Sequence, residues 1–128
     1  MKLLLDTHIL LWAAMDELPQ AAAPYINCMS NELFFSPASI WEVAIKNGLG
    51  RSDFIIDPGL LYSGLSDAGY KEMHITGRHA LYTSSLPPLH KDPFDRILLA
   101  QAAYEGIPLL TADKVVAGYP CPVILLGQ

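Results

Sequence analysis

The chain has 128 residues and carries eight Lys plus Arg against thirteen Asp plus Glu, a formal charge of −5 with His neutral. Hydrophobic residues make up 52% and charged residues 16%. The charged share of an ordinary domain is about a quarter, so a disordered polyelectrolyte is excluded. A chain of this length fits one domain and buries roughly two thirds of its unfolded surface, with no need of a disulfide or structural metal. The acidic balance excludes a protein that holds nucleic acid through its overall field. It leaves open a metal-dependent nuclease, whose cations offset local carboxylate charge. Cys28 and Cys121 are isolated, with no CxxC pair, and read as two thiols. The apolar runs are too short to span a bilayer, and Asp6 arrives too early for the apolar stretch of a signal peptide. A cytoplasmic protein without a membrane partner is expected.

Lys2 to Leu5 is an apolar run ending at Asp6, and it predicts a buried strand. Thr7 predicts a cap for a helix over His8 to Met15, broken by Asp16-Glu17-Leu18-Pro19. A second helix is expected from Gln20 to Met29, and a strand over Leu33 to Phe35. Ser36-Pro37 pairs an N-cap residue with a first-turn proline, so a helix should run to about Asn47 and stop at Gly48 or Gly50. Asp57-Pro58 opens another helix by the same logic, ending near Asp67-Ala68-Gly69. Lys71 to Ile75 reads as a short strand, Thr76 caps a helix to about Tyr82, and Thr83 to Lys91 is a loop. Asp92-Pro93 starts a helix that Gly106 closes after Glu105. Pro108 to Leu110 is a strand ending at Thr111, Asp113 to Ala117 a short helix or turn, and Val123 to Leu126 the last strand. Helices alternating with continuous apolar strands predict an α/β layer fold around a mostly parallel sheet buried on both faces.

Four carboxylates stand where local structure explains them incompletely. Asp6 follows Leu3-Leu4-Leu5 and lies at a strand's carboxyl end, where open α/β sheets bind ligands. It could equally cap the following helix. Glu42 sits in a helix apolar on most faces, with Lys46 four residues on. That spacing fits a surface pair worth about 0.2–0.5 kcal/mol, or a Glu42 that faces a metal with Lys46 near substrate phosphate. Asp95 heads a stripe of Leu98, Leu99 and Ala102, an expensive place for an acid unless it caps, pairs or holds a metal. Asp92 lies three residues earlier at the helix start, and a salt bridge to Arg96 accounts for it. Asp113 follows the strand that ends at Thr111, where capping is again the local alternative. If the four converge, their repulsion needs a cation. Hard oxygen ligands without a His/Cys cluster select Mg²⁺ or Mn²⁺, and such a site suits phosphodiester hydrolysis.

These residues resemble a PIN-domain ribonuclease of the VapC toxin type. The matching stretches are Leu-Leu-Leu-Asp6-Thr-His, Ser-Ile-Trp-Glu42-Val-Ala-Ile-Lys, the run His90-Lys91-Asp92-Pro93-Phe94-Asp95-Arg96, and Leu-Leu-Thr111-Ala-Asp113. They span essentially the whole chain. The resemblance implies a single three-layer α/β/α domain with a central, mostly parallel sheet. It implies an endoribonuclease using Mg²⁺ or Mn²⁺, held by Asp6, Glu42 and Asp95 and completed by Asp113, with Thr111 in support. Asp92 matches a position with no assigned role. The implied partners are an RNA substrate, a small antitoxin and a second copy of the chain, with operator DNA reached only through the antitoxin. Lys46, Arg51, Lys91 and Arg96 are the candidate phosphate contacts.

Three other readings stay open on the sequence. A protein-binding module of the same fold would use apolar segments such as Leu10-Leu11-Trp12 and Tyr62. An aspartyl-phosphate enzyme would use Asp6 as nucleophile, but the second acid of the haloacid-dehalogenase pattern is replaced by His8. A metal-free nuclease would use His8 and His90 as general acid and base.

Overall fold

A computed structural model describes residues 1–51 and 54–127. Its elements in chain order are β1 (Lys2–Leu5), α1 (Thr7–Ala14), α2 (Ala23–Ile26), β2 (Glu32–Phe35), α3 (Pro37–Gly48), α4 (Pro58–Asp67) and β3 (Lys71–Glu72). There follow α5 (Gly77–Tyr82), α6 (Pro93–Glu105), β4 (Leu109–Thr111), α7 (Lys114–Ala117) and β5 (Val123–Leu125). The five strands form one parallel sheet in the order β3-β2-β1-β4-β5. β1 is central, because its run of three leucines has two faces to bury. Leu3 and Leu5 join Ile9, Leu10, Phe35 and Leu61 on one side of the sheet. Leu4, pointing the other way, joins Leu98, Leu99 and Leu109. Each side is thus covered by helices, giving the expected α/β/α layering.

The element starts follow their caps. Ser36, Asp57, Asp92 and Thr76 accept backbone N–H bonds at the starts of α3, α4, α6 and α5. Gly106 closes α6 in the left-handed region at φ +67, which only glycine adopts cheaply, and turns the chain into β4. α3 ends at Gly48, and the left-handed residue beyond it is Gly50. Two elements are shorter than expected. In place of a helix over Gln20 to Met29 there is a tight turn at Gln20–Ala22 and a single helical turn at Ala23–Ile26. Pro24 lacks the N–H that a helix running through it needs. β3 stops at Glu72 because its partner β2 ends at Phe35 and hands over to the Ser36 cap. Among the described residues, no helix is long and apolar enough to cross a membrane.

Arg96 holds the segment ahead of α6. The ion pair expected with Asp92 is not formed among the described residues. Instead the guanidinium donates to the carbonyls of Thr83 and Pro87, each at 2.9 Å, and of Leu86 at 3.3 Å. It also donates to the Tyr119 hydroxyl at 3.1 Å. These partly buried carbonyls, at and just beyond the tight turn Thr83–Ser85, take the forked donor in place of the half-buried Asp92 carboxylate, which accepts the Phe94 N–H. Replacing Arg96 by Met keeps the stem and removes every donor. We expect a loss of about 2–4 kcal/mol, read as a lower urea midpoint, with Arg96→Lys recovering only part because an ammonium cannot fork. An unchanged midpoint in Arg96→Met would show that the loop stands without it.

Candidate functional site

The sheet order reverses between β1 and β4, so the connections leaving these two neighbours diverge and open a crevice at their carboxyl ends. β1 hands directly to Asp6, and β4 ends at Thr111 two residues before Asp113. α3 brings Glu42 to the same place, and the first turn of α6 brings Asp95. All four acids line one cleft of about 360 Å³, together with Asp92, His90 and Lys46. His8, Trp12 and Ala112 complete its wall.

Asp6 is 6% exposed. One oxygen accepts from the Thr7 N–H at 2.6 Å, so Asp6 is itself the N-cap of α1 and Thr7 is inside the helix. The other oxygen accepts from the Thr111 hydroxyl at 2.6 Å. Thr111 Oγ1 also accepts the Asp113 N–H at 3.1 Å, so one hydroxyl orders both strand ends. The freed Thr7 hydroxyl donates to Ser39 Oγ at 2.9 Å, tying α1 to α3 inside the core. Burial pushes the Asp6 carboxyl above its ordinary pKa, opposed by the Thr111 bond and the nearby His8.

Glu42 is 3% exposed, so its partnership with Lys46 is no surface pair. Lys46 Nζ donates to Glu42 Oε2 at 2.6 Å. Its ammonium lies 4.8 Å from the centre of the Phe54 ring and 5.9 Å from that of Phe94, within cation–π range. Glu42 Oε1 is buried without a hydrogen-bond partner. A bare carboxylate oxygen in that position is costly unless a cation meets it.

Asp95 is strongly perturbed as well. Burial raises its carboxyl to about 7, with further contributions from Asp6, Asp92 and Glu42 and an opposing one from His90. His90 Nε2 and Asp95 Oδ2 are 2.8 Å apart. Ligand atoms of His90, Asp95 and Asp113 lie within 4.8 Å of one another, compact enough to hold a divalent cation. Asp113 uses its Oδ1 to cap α7, accepting from Val115 N at 2.8 Å. Asp92 caps α6 through Phe94 N at 2.9 Å. Capping and cleft lining therefore coexist in Asp6, Asp92 and Asp113.

Of the four expected phosphate contacts, Lys46 lines the cleft. Lys91 and Arg51 are exposed, and Arg51 lies 5.9 Å from the Phe54 ring. The Arg96 guanidinium is engaged by the loop carbonyls and Tyr119. Sequence reasoning placed His90 only in a metal-free acid–base role. Its signal was its position, five residues ahead of Asp95 and just outside a proline-started helix. Tyr119 had no such signal. Its hydroxyl accepts the His90 N–H at 2.7 Å and so fixes the backbone that carries the imidazole.

Residues 3–119 match the family model described as PIN domain. No curated protein sequence matches the chain. Several solved structures share its fold. A chain of VapBC2 from Rickettsia felis, bound to a DNA fragment from their promoter, has a TM-score of 0.74 at 14% identity, covering 99% of this chain and 100% of that one. A chain of DNA-bound VapBC from Salmonella typhimurium has a TM-score of 0.71 at 14% identity, covering 99% of each chain. A chain of VapBC-1 from nontypeable Haemophilus influenzae gives 0.70 at 12% identity and 100% of each. At these identities the likeness speaks for the fold alone, and it agrees with the parallel α/β/α sheet. With 3–119 of its 128 residues matched, the chain belongs to the PIN domain family.

Proposed function

We propose that this protein is a Mg²⁺- or Mn²⁺-dependent endoribonuclease acting as the toxin of a toxin–antitoxin pair. The observation that carries the reading is the convergence of Asp6, Glu42, Asp95 and Asp113 on one cleft of a PIN domain. The donor set fits the cation. The oxygens are hard, the negative charge is incompletely compensated, and Glu42 Oε1 is buried without a partner. Asp6, Glu42, Asp95 and Asp113 are the proposed ligands. His90 holds Asp95 in place or completes the set. When bound, the divalent ion lowers the pKa of an attacking water and stabilises charge on the phosphoryl oxygens.

The protein's own groups do the rest. Thr7 N–H and Thr111 Oγ1 fix both oxygens of Asp6. The hydrogen bond between Asp95 Oδ2 and His90 Nε2 holds the carboxyl in the cleft, and a bound cation would compete with its proton. Lys46, which lines the cleft beside Glu42, would offer its ammonium to the scissile phosphate. Arg51 and Lys91 offer further charge to the RNA backbone from the rim, and Asp92 adds to the field that draws the cation in. The VapBC structures, two of them bound to DNA, support an antitoxin partner, and contact with operator DNA through that antitoxin is part of the proposal. A homodimer in the cytoplasm completes the proposal. A binding-only module is the second reading. It is favoured by Trp41 and Leu49, 63% and 73% exposed, and Ile45 between them along α3.

Purified protein should cut single-stranded or structured RNA in Mn²⁺ or Mg²⁺ and not in excess EDTA, leaving 5′-phosphate and 3′-hydroxyl ends. Asp6→Asn and Asp95→Asn should each lose more than the roughly 10–100-fold typical of an outer-shell partner. Ends bearing 2′,3′-cyclic phosphate would sink the mechanism. No cutting by folded protein across a broad RNA panel would favour the binding-only reading.

Asp95 also makes stability depend on pH. Its folded carboxyl titrates near 7 against 3.8 as a free group, so the folded state keeps a proton that the unfolded state releases between those values. The stability supplied by that proton is full below about pH 4 and lost as pH rises through 7. Metal-free wild type should therefore melt at a lower temperature at pH 8 than at pH 5.5, and by more than Asp95→Asn does. Mn²⁺ should raise the melting temperature more at pH 8, because cation and proton compete. Equal slopes in wild type and variant would refute the assignment.

Lys46→Met should lower metal-free stability by about 3 kcal/mol, since it leaves Glu42 buried and unpaired. The same change removes an internal competitor, so calorimetry should show tighter Mn²⁺ binding. Weaker Mn²⁺ binding would mean that Lys46 supports the ion rather than standing in for it.

A further inference from the structure

We infer that a hollow beside the acidic cleft is a subsite for one unpaired nucleobase of single-stranded RNA, with Trp12 as its stacking wall. The inference rests on the ribonuclease reading above and adds to it where the substrate's base goes. The hollow has a volume of about 490 Å³. Trp12 and Ala112 line both it and the cleft, so the two adjoin at these side chains. A strand whose phosphate sits at Asp6 and Asp95 thus has the hollow within reach of an adjacent base.

The chemistry of the two halves differs sharply. The cleft is lined by acids, two imidazoles and Lys46. The hollow is lined by Trp12, Pro19, Ala21 and Leu126, with Gln20 as its one polar side chain and no charged one. A phosphate gains nothing there. A flat, uncharged heterocycle does, because it stacks on an aromatic face and offers donors and acceptors at its edge. Gln20 is exposed, and among the described residues its side-chain amide makes no hydrogen bond. An amide offers a donor pair and an acceptor, the groups that read a base edge. Trp12 is held in place for this role. It lies one helical turn after His8 on α1, its ring centre 6.2 Å from the imidazole and tilted by 55°. It is half-buried, packed against the core on one side while lining both concavities.

The protein contains two tryptophans, Trp12 and Trp41, so Trp41→Phe leaves Trp12 as the only indole emitter. In that background a short single-stranded RNA, added in Ca²⁺, should quench the emission. A matched oligonucleotide lacking bases should leave it unchanged. Trp12→Ala should weaken RNA binding by about 5–150-fold, the range of one base–aromatic stack, with Trp12→Phe retaining most of the affinity and Mn²⁺ affinity unaltered. Gln20→Ala, on the surface, should change which base is preferred beside the cut site. Equal quenching by the base-free oligonucleotide would overturn the inference, as would unaltered affinity in Trp12→Ala. If Trp12→Ala does not fold, the native-indole titration and Gln20→Ala still decide the matter. RNA that is cut without any change in Trp12 emission would remove the subsite and leave the nuclease reading intact. Base-dependent quenching with no cutting of any RNA would do the reverse.

Discussion

The structure turns on the cost of holding like charges together away from water. Asp6, Glu42, Asp95 and Asp113 share one cleft, and the first two are nearly inaccessible. The fold answers with every kind of compensation available to a protein alone. Asp6, Asp92 and Asp113 each cap a helix, which gives their oxygens backbone N–H donors and the favourable end of the helix dipole. Thr111 donates a hydroxyl to Asp6. Lys46 supplies a cation to Glu42. Asp95 takes the remaining course and holds its proton up to about pH 7. After all of this Glu42 Oε1 still lacks a partner. Capping and metal binding are therefore not rival explanations of these acids. The caps let a fold carry so much charge at one point, and the residue they leave unmet is what a divalent ion would fill.

Much of this was legible because it is local. A leucine run ending in an acid fixes a strand end, and Asp-Pro at one end with Gly at the other fixes α6 almost to the residue. The parallel sheet follows from strands apolar on both faces, as Leu3 and Leu4 show by packing on opposite sides. What escaped is long-range. Arg96 reads as the i+4 partner of Asp92, yet it serves carbonyls up to 13 residues away. Tyr119 reaches His90 across 29 residues. Neither contact leaves a periodic trace. Gln20 to Met29 reads as helix until Pro24 is given its full weight. The caps were a subtler case. Sequence offered capping and catalysis as alternatives for Asp6 and Asp113, and only coordinates show that each caps a helix and still lines the cleft.

α3 explains why Glu42 was the hardest of the four to read. Its pattern is inverted. Ser39 and Glu42 are buried, while Trp41, Ile45 and Leu49 stand exposed at four-residue spacing. Hydropathy alone would turn the helix the other way, with the aromatic face inward and Glu42 paired to Lys46 in water. The buried face is instead short and mixed, made of Ala38, Ser39, Glu42 and the core residue Val43, with Ser39 accepting the Thr7 hydroxyl of α1. That face puts Glu42 in the cleft. It also leaves an apolar stripe outside, which a lone soluble domain has little reason to keep. The helix that carries the acid into the site thus also offers the surface on which a partner is most naturally sought.

The same charge balance orders events on the ribonuclease reading. The chain bears −5 overall, and its cleft adds a concentrated negative field of its own. RNA presents a phosphate at every step, so an empty cleft repels the substrate it is meant to cut. Lys46 cannot reverse that field while it is bound to Glu42. A divalent ion held by Asp6, Glu42, Asp95 and Asp113 would offset the acids' charge and compete with Lys46 for Glu42. On that reading the cation would favour RNA binding as well as the chemistry that follows.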